Sequence, residues 1–349
     1  MALDRLRIGV VGAGPVAEKY HLGAIRGVPE VFAEYVVDVD GQRAEKFATR
    51  NGFRRFGASH QEMIGAVDIA IVALPNHLHA PVSIDLLSQG IHVLCEKPMA
   101  RTPAECQTMV DAASRSGALL AIGHNRRFRD HLRLAKNLYD RGYIGEITEI
   151  QAEEGSVADW QRSAAYFDPQ RSGGGSLMDV GIHAIDLIRW IAGEFHEVQY
   201  TGDQTPTVVE SEAEMTFRME NGATGKVIAS RTRELAQRLL LRGTQGFIEA
   251  GLWSDMLRVR CEKGKASRHF RHLEAYVSRR PPADSSFVDQ LLNLVRAIRG
   301  QEPLLVDGRA GMEAVDVVWR AYGHQPAVVT AQSAATGGHF MSVLTREKL

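Results

Sequence analysis

The chain has 349 residues, 44% of them hydrophobic and 24% charged, with 41 basic against 42 acidic side chains and a net charge of −1. That length exceeds what one core usually organises, so two domains are expected, and the charge balance excludes the basic surface that nucleic acid or an anionic membrane requires. Met1–Arg7 lacks the apolar core of a signal peptide, no window approaches a membrane span, and Cys95, Cys106 and Cys261 show no paired spacing, which together predict a cytoplasmic protein with reduced thiols.

In chain order, Leu6–Val11 reads as an apolar strand opening into Gly12-Ala13-Gly14-Pro15-Val16-Ala17, a dinucleotide fingerprint with alanine at the third small position. Gly12 permits the tight turn, Gly14 lets the backbone approach a pyrophosphate, and Ala17 lets the next helix pack close. Pro15 and Val16 complete the loop, and the helix after it offers free N–H groups to the phosphates. A second strand, Ala33–Val37, ends in Asp38, about 20 residues past the loop. A carboxylate there accepts from both ribose hydroxyls and repels a 2′-phosphate, which favours NAD over NADP. Arg43 argues the other way, and the alternative for Asp38 is a turn or cap residue.

A helix closes over Phe47–Gly52, a strand lies near Asp68–Leu74, and Pro75-Asn76-His77-Leu78-His79 follows at its C-terminal end, where open α/β sheets take ligands. Pro75, Asn76 and His79 are therefore cofactor candidates; equally, Asn76 caps a helix from about Ala80 to Gln89. Ile91–Leu94 is the next strand and runs into Cys95-Glu96-Lys97-Pro98. A lysine just past a buried strand sits at the edge of an interior, where its ammonium is partly desolvated. Pro98 bars helical geometry at Lys97 and so aims the side chain. The bland alternative is a surface Glu-Lys pair. A helix over Pro103–Ser116 and a strand over Ala118–Ile122 complete a doubly wound parallel sheet, giving a first domain of residues 1–124.

From residue 125 the pattern changes. A helix (His131–Arg141) leads into longer, alternating strands: Ile147–Glu153, Ala213–Met219, Ala223–Arg231, Arg238–Leu241 and Gly246–Ala250. Such alternation predicts an α+β domain with a large, mostly antiparallel, open-faced sheet over residues 125–349. Phe287–Arg299 and Gly311–Tyr322 read as amphipathic helices returning to the body, and the basic run around Arg258–Arg280 as a solvated loop or strand edge.

Within this half, Ser172-Gly173-Gly174-Gly175-Ser176 introduces a helix on which Asp179, His183, Asp186 and Trp190 fall in one narrow stripe at about 100° per residue. The stripe presents either a functional line or a buried, mutually satisfied Asp–His–Asp network. The Asp/His pair lacks further ligands and no His-Glu-x-x-His motif occurs, so no metal is expected.

Gly12-Ala13-Gly14, Glu96-Lys97-Pro98 and Gly173-Gly174-Gly175…Asp179…His183…Asp186, in that order and spacing, resemble the Gfo/Idh/MocA oxidoreductases, as does the Asn125-Arg126-Arg127-Phe128 junction. The resemblance implies a Rossmann domain joined to an open-faced sheet domain, assembly into a homodimer or homotetramer through the sheet faces, and NAD as cofactor. It also implies hydride transfer at a secondary hydroxyl or ketone of a sugar, cyclitol or sugar nucleotide. Lys97, Asp179 and His183 then line the reacting centre. His183 is the preferred general base because its ordinary pKa is near neutrality, with Asp179 orienting it or holding a hydroxyl and Lys97 favouring the alkoxide; the sequence leaves Lys97 open as the formal proton acceptor instead. Glu96 joins the cofactor set and Asn125 and Arg127 the substrate set, while Trp160, Tyr166 and Arg171, before the glycines, are either substrate contacts or ordinary packing or surface residues. The neighbouring arginines, Arg126 and Arg129, either meet a phosphate with Arg127 or are solvated. Two other functions compete: a redox-neutral elimination that uses NAD transiently, and a non-catalytic NAD-binding regulator.

Overall fold

The computed structural model describes residues 5–157, 166–205, 207–261, 273–276 and 285–323. Its first sheet is built from β1 (Leu6–Val11), β2 (Val31–Val37), β3 (Arg55–Gly57), β4 (Ile69–Val72), β5 (His92–Cys95) and β6 (Leu120–Ile122). All six are parallel, in the order β3-β2-β1-β4-β5-β6. The order reverses between β1 and β4, so the loops leaving these strands open a crevice at the C-terminal edge. The interior strands are near-continuous apolar runs because helices cover both faces; β4, for example, is buried at every position.

The covering helices are α1 (Leu22–Gly27), α2 (Gly41–Asn51), α3 (Asn76–Ser88) and α4 (Pro103–Ser116). Their ends follow from local chemistry. The Asp40 carboxylate accepts from the backbone of Gln42 and Arg43 to start α2, and Gly52 ends it in the left-handed region. Thr102 and Pro103 start α4 in the same manner. A π-turn, Ala17–His21, separates the fingerprint loop from α1.

The second sheet contains β7 (Ile147–Gly155), β8 (Phe195–Gly202), β9 (Glu212–Met219), β10 (Thr224–Ser230), β11 (Arg238–Gly243), β12 (Gly246–Gly251), β13 (Met256–Cys261) and β14 (Leu273–Tyr276). The order is β14-β13-β12-β11-β7-β10-β9-β8, antiparallel throughout except for the parallel β7/β10 pair. One face is apolar and one is open. Along β9, Ala213, Met215, Phe217 and Met219 are buried while Glu214, Thr216 and Arg218 point to solvent. The apolar face is covered by α5 (Asp130–Asp140) and by a π-turn (Leu177–Gly181) continuing into α7 (Ile182–Ala192); the short α6 (Pro169–Ser172) precedes them. Two final helices, α8 (Ser285–Ile298) and α9 (Gly308–Ala321), return to the first half: α8 packs on α1, and α9 wedges between α4 and α7.

Two strands escape the sequence expectation, β3 and β8. β3 is three residues at a sheet edge, and β8 buries only Phe195 fully, so neither carries a clear apolar period. Part of the basic run is β13 and β14; its remainder lies outside the described residues, as does Trp160.

Candidate active site

The fingerprint loop leaves β1 with Gly12 at φ 100°, and a Cβ there would lie 2.3 Å from the Ala73 carbonyl oxygen, so only glycine fits. Gly14 is the opposite case. A Cβ on it would meet nothing within 4 Å, which leaves its backbone open to a ligand. Asp38, at the tip of β2 and nearly buried, accepts from the Ala13 and Asp40 backbone N–H groups at 3.0 Å each. Arg43 stands 3.6 Å away, on its outer side. Open backbone, a helix start and an oriented carboxylate suit a dinucleotide: pyrophosphate over Gly14-Pro15-Val16-Ala17, ribose at Asp38.

The β5 strand delivers Glu96 and Lys97 to the same crevice, and the Lys97–Pro98 bond is cis. Glu96 is buried and accepts from the ring of His21, on the first π-turn, at 2.8 Å. Burial works to raise its carboxyl, but the His21 hydrogen bond and the nearby His21 and Lys97 charges outweigh it and hold the group low. Lys97 reaches across to the second half. Its Nζ donates to the Asp179 backbone oxygen at 2.7 Å and to Oδ1 of the same residue at 3.0 Å. Asp179 also accepts from the Tyr166 hydroxyl, and Arg231 lies 3.6 Å from its Oδ2 with its guanidinium 4.0 Å over the Tyr166 ring. Burial opposes ionisation of Asp179, yet Lys97, Arg231 and the two hydrogen bonds prevail and hold it far below the ordinary carboxylate range.

His183 lies one turn further on. Among the described residues it makes no hydrogen bond; its Nδ1 is buried and unpartnered, and its ring meets His124 edge to face at 6.2 Å. Burial pushes its pKa well below 6.5, and the charges of Arg126, Lys97 and His124 push the same way. The ring is therefore neutral at pH 7, rather than partly protonated as its ordinary pKa would imply. His124 itself is 1% exposed, is driven down to about 4 chiefly by burial, and makes no hydrogen bond from either ring nitrogen, its Nδ1 lying 4.0 Å from the Asp186 carboxylate.

The single polar stripe does not form as expected. The wider π-turn gives less rotation per residue than the helix proper, which takes Asp179 off the ideal stripe, and Asp179 bonds Lys97 rather than His183. Asp186 is taken by Arg127 in a buried bidentate pair at 2.6 and 2.9 Å, with Trp190 beside that guanidinium. There is accordingly no mutually satisfied Asp–His–Asp network. Arg127, expected at the substrate, is instead locked at the junction between the halves. Arg126 and Arg129 are likewise spent on Glu154 and Asp255, which removes the phosphate reading for all three arginines.

Other expected contacts also have structural partners. Both ring nitrogens of His79 face backbone carbonyls, Pro98 and Leu74, at 2.7 Å, so His79 ties the loop after β4 to the turn at Lys97. Asn76 is the first residue of α3 and does not cap it; its amide donates to Ser172 across the crevice at 2.7 Å. Pro75 precedes it, exposed. Asn125 donates to Ser286 on α8, and Arg171 on α6 acts electrostatically on His77.

The triple glycine explains how α7 is held. A Cβ on Gly175 would lie 2.0 Å from the Glu210 backbone oxygen. The buried Glu210 carboxylate accepts from the N–H groups of Gly175 and Leu177 at 3.0 Å and from the Tyr322 hydroxyl at 2.7 Å. Arg231, whose Nη2 donates to the Gly175 carbonyl, completes this support. Arg231, His124, Glu210 and His21 had no signal in the sequence beyond their residue type, since each acts through a partner far along the chain.

A dinucleotide crevice facing a lysine–aspartate pair and a neutral histidine defines a nicotinamide-dependent oxidoreductase site. Residues 6–124 match the oxidoreductase family with an NAD-binding Rossmann fold, and residues 132–249 match the GFO/IDH/MocA C-terminal domain. The chain belongs to the Gfo/Idh/MocA oxidoreductase family and is an NAD-binding enzyme of that family. It is 27% identical to levoglucosan dehydrogenase of Pseudarthrobacter phenanthrenivorans over 292 residues, 70% of this chain and 73% of the relative. It is 24% identical to myo-inositol 2-dehydrogenase of Thermotoga maritima over 323 residues, 89% and 93% of the two chains. In three dimensions it superposes on levoglucosan dehydrogenase in complex with NADH with a TM-score of 0.82 at 23% identity, covering 91% of this chain and 97% of the other. Among the described residues, no helix is long and apolar enough to cross a membrane.

Proposed function

We propose that this protein interconverts a secondary hydroxyl and a ketone on a sugar, cyclitol or sugar nucleotide. The observation that carries the reading is the Lys97–Asp179 contact, which brings the end of a Rossmann strand onto the helix start of the other half. The named activities of its relatives, on levoglucosan and myo-inositol, are of this kind. Bound NAD would supply the hydride acceptor. Because the Asp179 carboxyl is held ionised, it does not shuttle the proton; it holds Lys97 in position and neutralises its charge in part. The Lys97 ammonium has a donor to spare for the substrate oxygen, where it favours the alkoxide-like charge that develops on oxidation. His183, neutral and adjacent, accepts the hydroxyl proton and returns it in reduction. Tyr166 and Arg231 keep Asp179 aligned.

The division of labour follows the two sheets: residues 1–124 hold the cofactor, and residues 125–349 hold the substrate and form the subunit contact. The open sheet face, with Gln151, Thr216 and Lys226, is the surface we assign to a second copy in a cytoplasmic homodimer or homotetramer. A panel of polyols and sugars assayed with NAD for net NADH tests the reaction. Net reduction of NAD by a ring alcohol is expected; product formation without net NADH would replace this reading by the redox-neutral cycle. Sedimentation tests the assembly, and a concentration-independent monomer would remove it.

A further inference from the structure

Trp253 is 57% exposed, yet the loop that carries it is pinned on every side. Leu252 N donates to the Gln237 carbonyl at 2.7 Å, Arg129 donates to the Leu252 carbonyl at 2.7 Å, and the His131 ring meets the Gly251 carbonyl at 2.8 Å. The indole is anchored too. Its Nε1 donates to Glu154 Oε1 at 2.9 Å, and Glu154, 2% exposed, is clamped by the Arg126 guanidinium. A single exposed aromatic is ordinary on a protein surface, but one held this rigidly offers a fixed apolar face on which something can settle.

Its position says what that something is. The sheet register sets Gly155 of β7 beside Ser230 of β10, Arg238 of β11 beside Glu153, and Gly251 of β12 beside Arg238. One end of the sheet therefore carries both Arg231, next to Asp179, and the Trp253 loop. Glu154 alternates with Ile150 and Ala152 onto the helix-covered face, so the bond from the indole draws Trp253 to the side where α7 lies. Arg126, which shares the Glu154 carboxylate with the indole, is near enough to His183 for its charge to be felt there.

We propose that Trp253 is the platform for the substrate ring: its indole face lies under the C–H face of a pyranose or cyclitol whose hydroxyls reach Lys97, Asp179 and His183. A saturated polyhydroxylated ring has one face lined with polarised C–H groups, which suits the electron-rich face of an indole. This inference rests on the substrate class proposed above and goes beyond it by naming a positioning residue outside the proton-transfer set.

The test compares Trp253→Ala and Trp253→Phe, each checked for Tm and for NADH binding. With a cyclic substrate, Trp253→Ala raises KM by about tenfold, the scale of losing one aromatic face, while kcat stays within about threefold. Trp253→Phe keeps an aromatic face and stays near the wild type, and an acyclic polyol, which offers no ring face, shows little difference between the three proteins. Cyclic ligands also change tryptophan emission in the wild type and not in Trp253→Phe. An unchanged KM in Trp253→Ala overturns the proposal. So does a Phe variant as impaired as the Ala variant, or an Ala variant altered only in its sedimentation. If no ring alcohol reduces NAD, the proposed reaction falls while the emission titrations still judge Trp253; a wild type that binds no cyclic ligand overturns both.

Discussion

Two stretches of this protein look alike on paper: a glycine loop, a π-turn, then a helix. One runs from Gly12 through the turn Ala17–His21 into α1, the other from Gly173 through the turn Leu177–Gly181 into α7. They differ in what one glycine of each, Gly14 and Gly175, is for. A side chain on Gly14 would enter empty space, whereas one on Gly175 would collide with the Glu210 backbone. The first loop keeps backbone bare for a ligand; the second packs protein against protein so that the side chains after it, Asp179 and His183, are held in place. A glycine run thus reports close approach without saying what approaches.

The largest expected effect tests the division between binding and chemistry. Lys97→Met should lower kcat by roughly 10²-fold or more, the scale for a positioned charge-stabilising group. NAD affinity, measured by titration, should be nearly unchanged if the pyrophosphate is held at the first loop, as proposed. Full activity in this variant would refute the role assigned to Lys97. Next comes the glycine contrast itself. Gly175→Ala should destabilise the fold by about 2–4 kcal/mol, since rigid backbone must yield. Gly14→Ala should leave Tm almost unchanged and weaken NAD binding by about tenfold through loss of close approach. If both variants melt alike and bind alike, the contrast is false.

A third effect concerns pH. His124 is nearly fully buried and titrates at about 4 in the fold against about 6.5 unfolded. Its folded pKa is depressed, so the unfolded chain binds the proton first on acidification. The stability from keeping it neutral is present above pH 6.5 and is lost as pH falls towards 4, by roughly 3 kcal/mol. Burial shifts His79, His131 and His183 in the same direction, so each adds to the loss of stability on acidification. Denaturant midpoints of the wild type should therefore fall between these limits, and His124→Asn should flatten part of the fall. A parallel pair of profiles would show that His124 takes up its proton equally in the folded and unfolded states, with no depressed pKa in the fold.

These contrasts also mark what could be read without coordinates. Both sheets were legible, because buried parallel strands such as β4 are continuous apolar runs and half-buried ones such as β9 alternate. Lys97, Asp179 and His183 were legible as candidates from their place after a strand and after a glycine run. Their partners were not. That Asp179 would bond Lys97 and Tyr166, or that Arg127 would be consumed by Asp186, depends on contacts between residues 13 to 82 positions apart, which no local period encodes. The π-turn was equally invisible, and it is what breaks the ideal helical stripe.

The smallest effect sharpens the cofactor side of the comparison. Asp38 is held by two backbone N–H groups, so its carboxylate stands fixed where a ribose would lie, and Arg43 is drawn to it and to Asp40 at 3.6 and 3.7 Å. Asp38→Ser removes the fixed negative charge and frees Arg43 for a 2′-phosphate. The Ala13 N–H then loses its acceptor, at a cost of about 1–2 kcal/mol that Tm will register. The wild type should prefer NAD, and the ratio of kcat/KM for NAD over NADP should shrink in Asp38→Ser by about tenfold, a modest part of the several kcal/mol that opposed charges at contact can impose. Arg43→Ala in the wild-type background should leave NAD preference intact, since there Asp38 already excludes the phosphate. A wild type that favours NADP, or an Asp38→Ser protein with an unaltered ratio, would move the discrimination away from this carboxylate and onto the loop backbone.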